Sequence, residues 1–310
     1  MNEHKITAED SDIRLDRWFK RHFPSVTHGF IEKALRKGDI RLNGKKVKSS
    51  ERVAEGQTII IRCKLPEAEE AQIKKPVAFK TSSEDAAMLM AAVLYKDDDI
   101  IIINKPAGLA VQGGTGITKN IDAMLDCLRF DAKERPKLVH RLDRDTSGVL
   151  VLARSAKSAT RITKLFASKE VIKVYWALVI GVPEIMQGKI DLPLSKQEDG
   201  DIEKVGVDKI DGKKAITLYR VIDRLSNKLC WVELSPITGR THQLRVHMSE
   251  IGHPILGDGK YGGKDAFIEG MDISRKLHLH AQKIIIPDVL EVEAPLPPHM
   301  KKSWRTLGLE

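Results

Sequence analysis

Residues 140–153 read HRLDRDTSGVLVLA, a charged loop that leads directly into an uninterrupted apolar segment. Residues 149–153 predict a buried strand, because a short apolar run of this kind fits a strand that is covered on both faces. Asp143 lies in the loop between Arg141 and Arg144, and nearby cations favour an ionised carboxylate at neutral pH. Taken alone, the loop fits a catalytic carboxylate and a purely structural Asp–Arg loop equally well.

A second segment, residues 173–181 (KVYWALVIG), predicts another buried strand, which follows an amphipathic helix. Side chains alternate along a strand, so Tyr175, Ala177 and Val179 are expected on one face. A tyrosine in such a place is more often a core residue than a catalytic one.

A third segment, residues 238–247 (TGRTHQLRVH), follows a predicted strand over residues 229–234 and a turn at Pro236. A helix is expected to run from it to Ile251, with Gly252 as its end. Its arginines can bind phosphate or pair with a buried carboxylate. His242 and His247 are five residues apart and do not share a helix face, so no metal pair is expected here.

The 310-residue chain carries a formal net charge of +9, and the charge is concentrated near its N-terminus. Residues 13–64 contain 14 Lys and Arg against 5 Asp and Glu, a difference of +9, so the remainder is close to neutral. A basic module favours a polyanionic partner. The 3 cysteines are far apart and lack metal-type spacing, which predicts a reducing compartment and no zinc site. Without an N-terminal leader or a long apolar run, a cytoplasmic location is expected.

These patterns predict three parts: a small basic domain over residues 1–66, a linker over 67–92, and a larger domain over 93–310. The first part predicts two helices, ended at Pro24 and Gly38, then a turn at Asn43-Gly44 and a strand near residues 58–61. The last part mixes strands and helices without regular βαβ alternation, which favours an α+β fold.

Together, the three segments resemble the RluA-type pseudouridine synthase family. The matching residues are 140–143 with 146–148, 173–175 and 239–247, with support from 104–108, 253–258 and the late strand 277–286. The resemblance covers about residues 95–290 and implies a mixed, largely antiparallel sheet. Residues 14–16 and 40–45 resemble the α-L, or S4-like, RNA-binding domain. An S4-like domain in front of the synthase domain is typical of the branch of the family that acts on large-subunit ribosomal RNA.

The resemblance also implies the site. Asp143 would be the catalytic carboxylate, as nucleophile, electrostatic stabiliser or proton carrier, and Arg245 would pair with it. Tyr175 would lie against the target uracil, and Arg141 would fill the space that the flipped base leaves. The cations expected to contact RNA are Arg14, Arg17, Lys33, Arg36, Lys37, Arg41, Lys45 and Lys46.

The sequence leaves three other hypotheses: the same chemistry on transfer RNA, a non-catalytic RNA-binding factor in ribosome assembly, and a glycoside-type hydrolase. A hydrolase would need a second carboxylate, and Asp145 is too close to Asp143 on one loop to flank a sugar. Residues 113–116 (GGTG) lack the lysine of a phosphate-binding loop. We expect no cofactor, no metal, no membrane association and a monomer.

Overall fold

Backbone contacts divide the chain into two units, Met1–Val77 and Ala78–Glu310. The computed structural model describes residues 2–66, 81–114, 117, 119–199, 202–225 and 227–309. The helices are α1 (Leu15–His22), α2 (His28–Lys37), α3 (Ser83–Ala91), α4 (Ile121–Met124), α5 (Ala156–Ser168), α6 (Gln243–Glu250) and α7 (Pro298–Thr306). The strands are β1 (Asn2–Lys5), β2 (Ile40–Leu42), β3 (Thr58–Ile61), β4 (Val93–Lys96), β5 (Ile100–Lys105), β6 (Lys137–Leu138), β7 (Ser147–Ala153), β8 (Ile172–Ile180), β9 (Gln187–Asp191), β10 (Leu194–Asp199), β11 (Ile202–Val207), β12 (Ile216–Leu225), β13 (Leu229–Pro236), β14 (Leu279–Ile286) and β15 (Leu290–Glu293).

The N-terminal unit packs α1 and α2 against a three-stranded antiparallel sheet in the order β1-β3-β2. α2 begins where Thr27 accepts a hydrogen bond from the Phe30 backbone N–H, and it ends at Gly38 in the left-handed conformation. Asn43 and Gly44 both have positive φ, 49° and 76°, as a tight turn requires. The two helices, the Gly38 end of α2 and this turn confirm the predicted local structure.

One part of the predicted linker is a helix. α3 begins at Ser82, which accepts a hydrogen bond from the Asp85 backbone N–H. Leu89 of α3 is fully buried in the core of the larger unit, together with Ile101 and Ile103 of β5. The range predicted as linker, 67–92, thus includes a helix at residues 83–91, which the sequence did not indicate because a short helix with one buried leucine shows little periodicity. Residues 67–80 lie outside the described residues.

The larger unit is built on a ten-stranded sheet in the order β4-β5-β7-β14-β8-β13-β12-β9, with β15 beside β14 and β6 beside β7. β7 and β14 run parallel, and the other pairs in this sheet are antiparallel. This architecture confirms the predicted α+β class with a mixed, largely antiparallel sheet. β7 is buried along its whole length, with apolar clusters on both of its faces, as its unbroken apolar sequence requires.

Gly148 fixes where the charged loop ends. Its φ is +108°, and a Cβ built there would lie 2.1 Å from the carbonyl oxygen of Ala281. Only glycine allows β7 to approach β14 this closely. The loop that carries Asp143 is thereby held at the start of β7, beside β14, which in turn pairs with β8.

β8 and β13 bring the other two segments to the same place. Tyr175 pairs with Leu234 of β13 on one side and with Ala281 of β14 on the other. β13 ends at Pro236, and α6 then runs to Glu250, with Gly252 in the left-handed conformation. Among the described residues, no helix is long and apolar enough to cross a membrane.

Candidate active site

A cleft of about 460 Å³ brings together residues that are about a hundred positions apart in the sequence. Arg141 and Asp143 come from the loop before β7, Tyr175 from β8, and His242 and Arg245 from α6 and its start. The cleft therefore contains all four residues that the sequence predicted for the active site of the larger unit.

Lys105, at the end of β5, holds the loop that carries Asp143. Its ammonium is fully buried and donates hydrogen bonds to the backbone carbonyls of Pro106, Leu109 and Arg144, at 2.7–2.8 Å. The backbone N–H of Gly108 donates to the same Arg144 carbonyl at 2.9 Å. Three acceptors engage all three protons of an ammonium, so the charged form is the one that ties the loop down. Burial lowers the pKa of Lys105 to about 7, although the charges of Asp145 and Asp143 act to raise it.

The other end of the loop is anchored by His140. Its Nε2 accepts a hydrogen bond of 2.8 Å from the Val151 backbone N–H, and its ring stacks on Phe166 at 4.5 Å. Burial lowers the pKa of His140 to about 3, with the Lys173 charge acting in the same direction. The ring is therefore neutral, and its contact with Val151 makes Nε2 an acceptor.

The Asp143 carboxylate lies open to the cleft. Its side chain is 20 % exposed, and its described ionic neighbour is His242, with Nε2 at 3.9 Å from Oδ1. Among the described residues, no side chain or backbone N–H donates a hydrogen bond to this carboxylate within 3.5 Å. The oxygens are thus free to meet a substrate.

Arg245 pairs with Asp258 and not with Asp143, which corrects the predicted ion pair. Its Nε and Nη2 donate to the two carboxylate oxygens of Asp258 at 2.8 and 2.7 Å. The two side chains are 9 % and 1 % exposed, so the pair is buried. Asp258 accepts two parallel hydrogen bonds from the planar guanidinium, a geometry that the Asp143 carboxylate, turned toward the cleft, does not offer. Burial acts to lower the pKa of Arg245, but the Asp258 contacts outweigh it and, with the Asp143 charge, raise that pKa.

Tyr175 faces the same cleft as a neutral phenol. Burial raises its pKa, and the nearby Asp143 charge raises it further. At physiological pH the free protein therefore presents a flat aromatic ring with a protonated hydroxyl. Such a ring can stack on a base, and it can act as a base only if substrate binding changes its surroundings.

Sequence reasoning named no role for four residues that shape the site. Lys105, His242 and Asp258 lie within the motifs quoted for the resemblance, and Tyr261 lies three residues beyond the last residue of the motif 253–258. One signal was available for Lys105: it ends the apolar run of β5, and an ammonium that is buried with such a strand needs hydrogen-bond acceptors. The pairing of Arg245 with Asp258, 13 residues later, needs the fold.

The eight cations predicted to contact RNA differ in their exposure and in their hydrogen bonds. Arg17, Lys33, Arg36, Lys37, Lys45 and Lys46 are exposed. Arg14 is bonded to Asp16, and Arg41 donates to the carbonyls of Gly38 and Gly44, which fastens the Asn43-Gly44 turn. The six exposed residues therefore form the freer basic surface, although the Lys46 ammonium also donates to the Arg36 carbonyl at 3.5 Å, and Arg41 has a structural role of its own.

His278, the residue before β14, and His280, in β14, both make hydrogen bonds inside the fold. His280 Nδ1 lies 2.8 Å from the Ser147 hydroxyl, and His278 Nε2 lies 2.7 Å from the Ser303 hydroxyl. Burial lowers the pKa of both rings to about 4. In the described ranges, no group of three or more His, Cys, Asp or Glu side chains has a metal-binding arrangement.

Comparison with known proteins gives one consistent result. A family model described as RNA pseudouridylate synthase matches residues 99–250. The ribosomal large subunit pseudouridine synthase C of Rickettsia conorii is 39 % identical over 295 residues, which are 92 % of this chain and 94 % of that protein. The mitochondrial RNA pseudouridine synthase 4 of Arabidopsis thaliana is 34 % identical, over 98 % of this chain and 81 % of its own length. The solved structure of human RNA pseudouridylate synthase domain containing 4 is similar with a TM-score of 0.59 and 31 % identity, covering 72 % of this chain and 95 % of that one.

Proposed function

Because the chain belongs to the RNA pseudouridylate synthase family, we propose that it isomerises selected uridines of large-subunit ribosomal RNA to pseudouridine, with Asp143 as the catalytic residue. The observation that carries the proposal is the cleft in which the Asp143 carboxylate faces substrate space between Tyr175 and α6. The carboxylate is held on a loop fixed by a buried lysine, and its oxygens have no competing donor among the described residues.

The reaction breaks the N1–C1′ bond of uridine, turns the uracil and joins its C5 to C1′. It consumes no redox or phosphoryl equivalent. Asp143 can attack C1′, stabilise a cationic sugar, or move a proton, and each role requires an ionised carboxylate close to the sugar. The C5 proton must leave in the last step. Tyr175 is the candidate base, provided that bound RNA lowers the pKa that burial raises in the free protein.

The target uridine must leave the RNA stack before it can reach the cleft. Unstacking costs a few kcal/mol, and two side chains are placed to offset that cost. The Tyr175 ring can stack on the flipped uracil. Arg141 is exposed at the cleft, and its guanidinium plane can take the place of the departed base.

We also assign the N-terminal unit to RNA binding, as an S4-like domain. Its support is the charge difference of +9 over residues 13–64 and the exposure of six of the eight cations predicted to contact RNA. Phosphate contacts by such a surface make binding strongly dependent on salt. The name of the Rickettsia conorii relative refers to the ribosomal large subunit, which favours ribosomal RNA over transfer RNA as the substrate. The proposal includes a monomer that acts in the cytoplasm.

The substrate is tested by tritium release from RNA that carries the label at uridine C5. The wild-type protein should release label from unmodified large-subunit ribosomal RNA at least tenfold faster than from transfer RNA, and mapping should find the same few positions in repeated experiments. Faster release from transfer RNA would replace the ribosomal substrate with the transfer RNA alternative. Binding without any release from either RNA would favour the non-catalytic assembly factor.

A further inference from the structure

His242 lies between the Asp143 carboxylate and a hydrogen-bonded chain that leads away from the cleft. Its Nε2 is 3.9 Å from Asp143 Oδ1, and its Nδ1 is 2.6 Å from the Tyr261 hydroxyl. The two nitrogens of one imidazole therefore face different partners. The direction of each hydrogen bond in this series decides whether the His242 nitrogen that faces Asp143 is a donor or an acceptor.

The donors can be assigned from the far end. The backbone N–H of Val205, in β11, donates to the Tyr261 hydroxyl oxygen at 3.4 Å. Burial raises the pKa of Tyr261, so its phenol keeps its proton at neutral pH. That proton is free to go to His242 Nδ1, and a neutral imidazole with Nδ1 as acceptor carries its own proton on Nε2. The N–H of Nε2 then points toward Asp143.

The backbone and the neighbouring rings hold His242 in this orientation. His242 is the residue before α6 and has φ 53°, a left-handed conformation that is uncommon outside glycine. Its ring meets the edge of Tyr261 at 5.5 Å, and the Arg245 guanidinium lies 5.0 Å from the centre of the Tyr261 ring. The Tyr261 backbone carbonyl accepts a hydrogen bond of 2.9 Å from the Ser249 hydroxyl of α6. A residue in a sparsely populated conformation persists only where its surroundings hold it.

We propose that His242 is a positioning residue for Asp143: Tyr261 fixes its tautomer, and its Nε2–H donates to the carboxylate when bound RNA closes the 3.9 Å gap. The inference rests on the proposed function, since it states how the carboxylate of that site is oriented. The charge of Arg245 is already engaged by Asp258, so a neutral donor is what remains at the carboxylate. The proton stays on His242 throughout, and no bond is made or broken in this step.

Five groups face the imidazole and set its charge. They are Asp143 from the loop before β7, Arg245 from α6, and Asp258, Lys260 and Tyr261 from the segment that follows α6. Burial lowers the pKa of His242, the Arg245 and Lys260 charges act in the same direction, and the Asp143 charge opposes them. Neutralising Asp143 must therefore lower the pKa of His242 further, if the two groups interact as proposed.

The direct test is nitrogen NMR of the full chain labelled with ¹⁵N-histidine, with His242→Gln to assign the signal. The wild-type spectrum should show His242 protonated at Nε2 and hydrogen-bonded at Nδ1. In Asp143→Asn the titration midpoint of His242 should move down by about half a pH unit or more. The signal of His247, which is buried in α6 with Nδ1 on Thr217, should not move. A proton on Nδ1, or a midpoint that Asp143→Asn leaves unchanged, overturns the proposal.

A kinetic test separates positioning from simple support of the fold. Tyr261→Phe keeps the ring beside Arg245 but removes the donor to Nδ1, so kcat for tritium release should fall about tenfold with little change in KM. Losing a donor to the neutral imidazole also raises the pKa of His242, which should move the acid limb of kcat to higher pH. Tyr219→Phe is the matched control, because the hydroxyl of Tyr219, on β12, donates to the Ile185 carbonyl outside the cleft.

Both kinetic outcomes are decisive. Unchanged kcat and an unchanged acid limb in Tyr261→Phe overturn the proposal, and so does a change in KM alone. His242→Gln keeps an N–H at the place of Nε2 and should retain more activity than His242→Ala. Failure of the proposed function is recognised separately, because a wild-type protein that releases no tritium would still give the NMR titration.

Discussion

Asp258→Asn should destabilise the protein much more than Asp143→Asn. This comparison distinguishes the observed ion pair of Arg245 with Asp258 from the pair with Asp143 that the sequence led us to expect. Arg245 and Asp258 are 9 % and 1 % exposed and share two hydrogen bonds of 2.7–2.8 Å. Removing one partner of a buried pair leaves an uncompensated charge and costs about 3–5 kcal/mol. Asparagine keeps one acceptor oxygen, so we expect about 3 kcal/mol, a change of about two orders of magnitude in the unfolding equilibrium.

Asp143→Asn should be nearly neutral for stability. The carboxylate is 20 % exposed and accepts no hydrogen bond from the described residues, and its nearest ionic partner is at 3.9 Å. A substitution of that kind changes the free energy of unfolding by less than about 1 kcal/mol. Asp272→Asn is the surface control: its pair with Lys302 is exposed, with Asp272 at 81 %, and exposed pairs contribute about 0–1 kcal/mol.

The measurement is urea denaturation at pH 7, followed by tryptophan emission. Three of the 4 tryptophans, Trp176, Trp231 and Trp304, form one edge-to-face chain in the larger unit, so most of the emission reports the unit that holds the site. The reasoning predicts that Asp258→Asn has a much lower midpoint than the other two variants. A larger loss for Asp143→Asn than for Asp258→Asn would refute it, because Arg245 would then pair with Asp143 in solution.

Three further predictions concern the loop, the sheet and the basic surface. Burial lowers the pKa of Lys105 from 10.5 to about 7. Between these pH values the unfolded chain binds more protons than the folded chain, so the free energy of unfolding rises with pH. In urea titrations, the free energy of unfolding of wild type relative to that of Lys105→Met should increase by about 2 kcal/mol from pH 7 to pH 9, and a difference that does not change with pH would contradict this. Gly148→Ala places a Cβ 2.1 Å from the backbone of β14 at φ +108°, and should cost more than about 4 kcal/mol or prevent folding, whereas a normal thermal melt would disprove the close approach. Replacing the exposed Lys33, Arg36 and Lys37 by Gln should make the negative slope of log association constant against log salt less steep by about 2, measured by fluorescence anisotropy with ribosomal RNA. An unchanged slope removes these residues from the RNA-binding surface.

Much of the fold can be predicted from the sequence because local signals agree with the tertiary structure. The apolar run of β7, the Thr27 cap and the Gly38 end of α2, and the Asn43-Gly44 turn each have a physical cause within a few residues. Helix α3 could not be predicted with the same arguments. What decides it is the burial of Leu89 against β5, which sequence spacing does not reveal.

The candidate site could be predicted as a set of residues but not as a set of contacts. Asp143, Tyr175 and Arg245 are brought to one cleft, as the motifs indicate. Which carboxylate Arg245 binds depends on the path of the chain after α6, and so does the contact of His242 with Tyr261. Such choices between close alternatives are settled by distance and burial, which the order of residues does not give.

The central claim is that the Asp143 carboxylate carries out the isomerisation, and single-turnover tritium release tests it most directly. Wild-type protein, Asp143→Asn and Asp145→Asn are compared on ribosomal RNA labelled at uridine C5. Asp145 is two residues away, partly exposed and bonded to Arg144, so it carries a similar charge on the same loop. We predict that Asp143→Asn abolishes release while binding RNA as tightly as wild type, and that Asp145→Asn stays within about threefold of wild type. Full release by Asp143→Asn, or loss only in Asp145→Asn, would contradict the account.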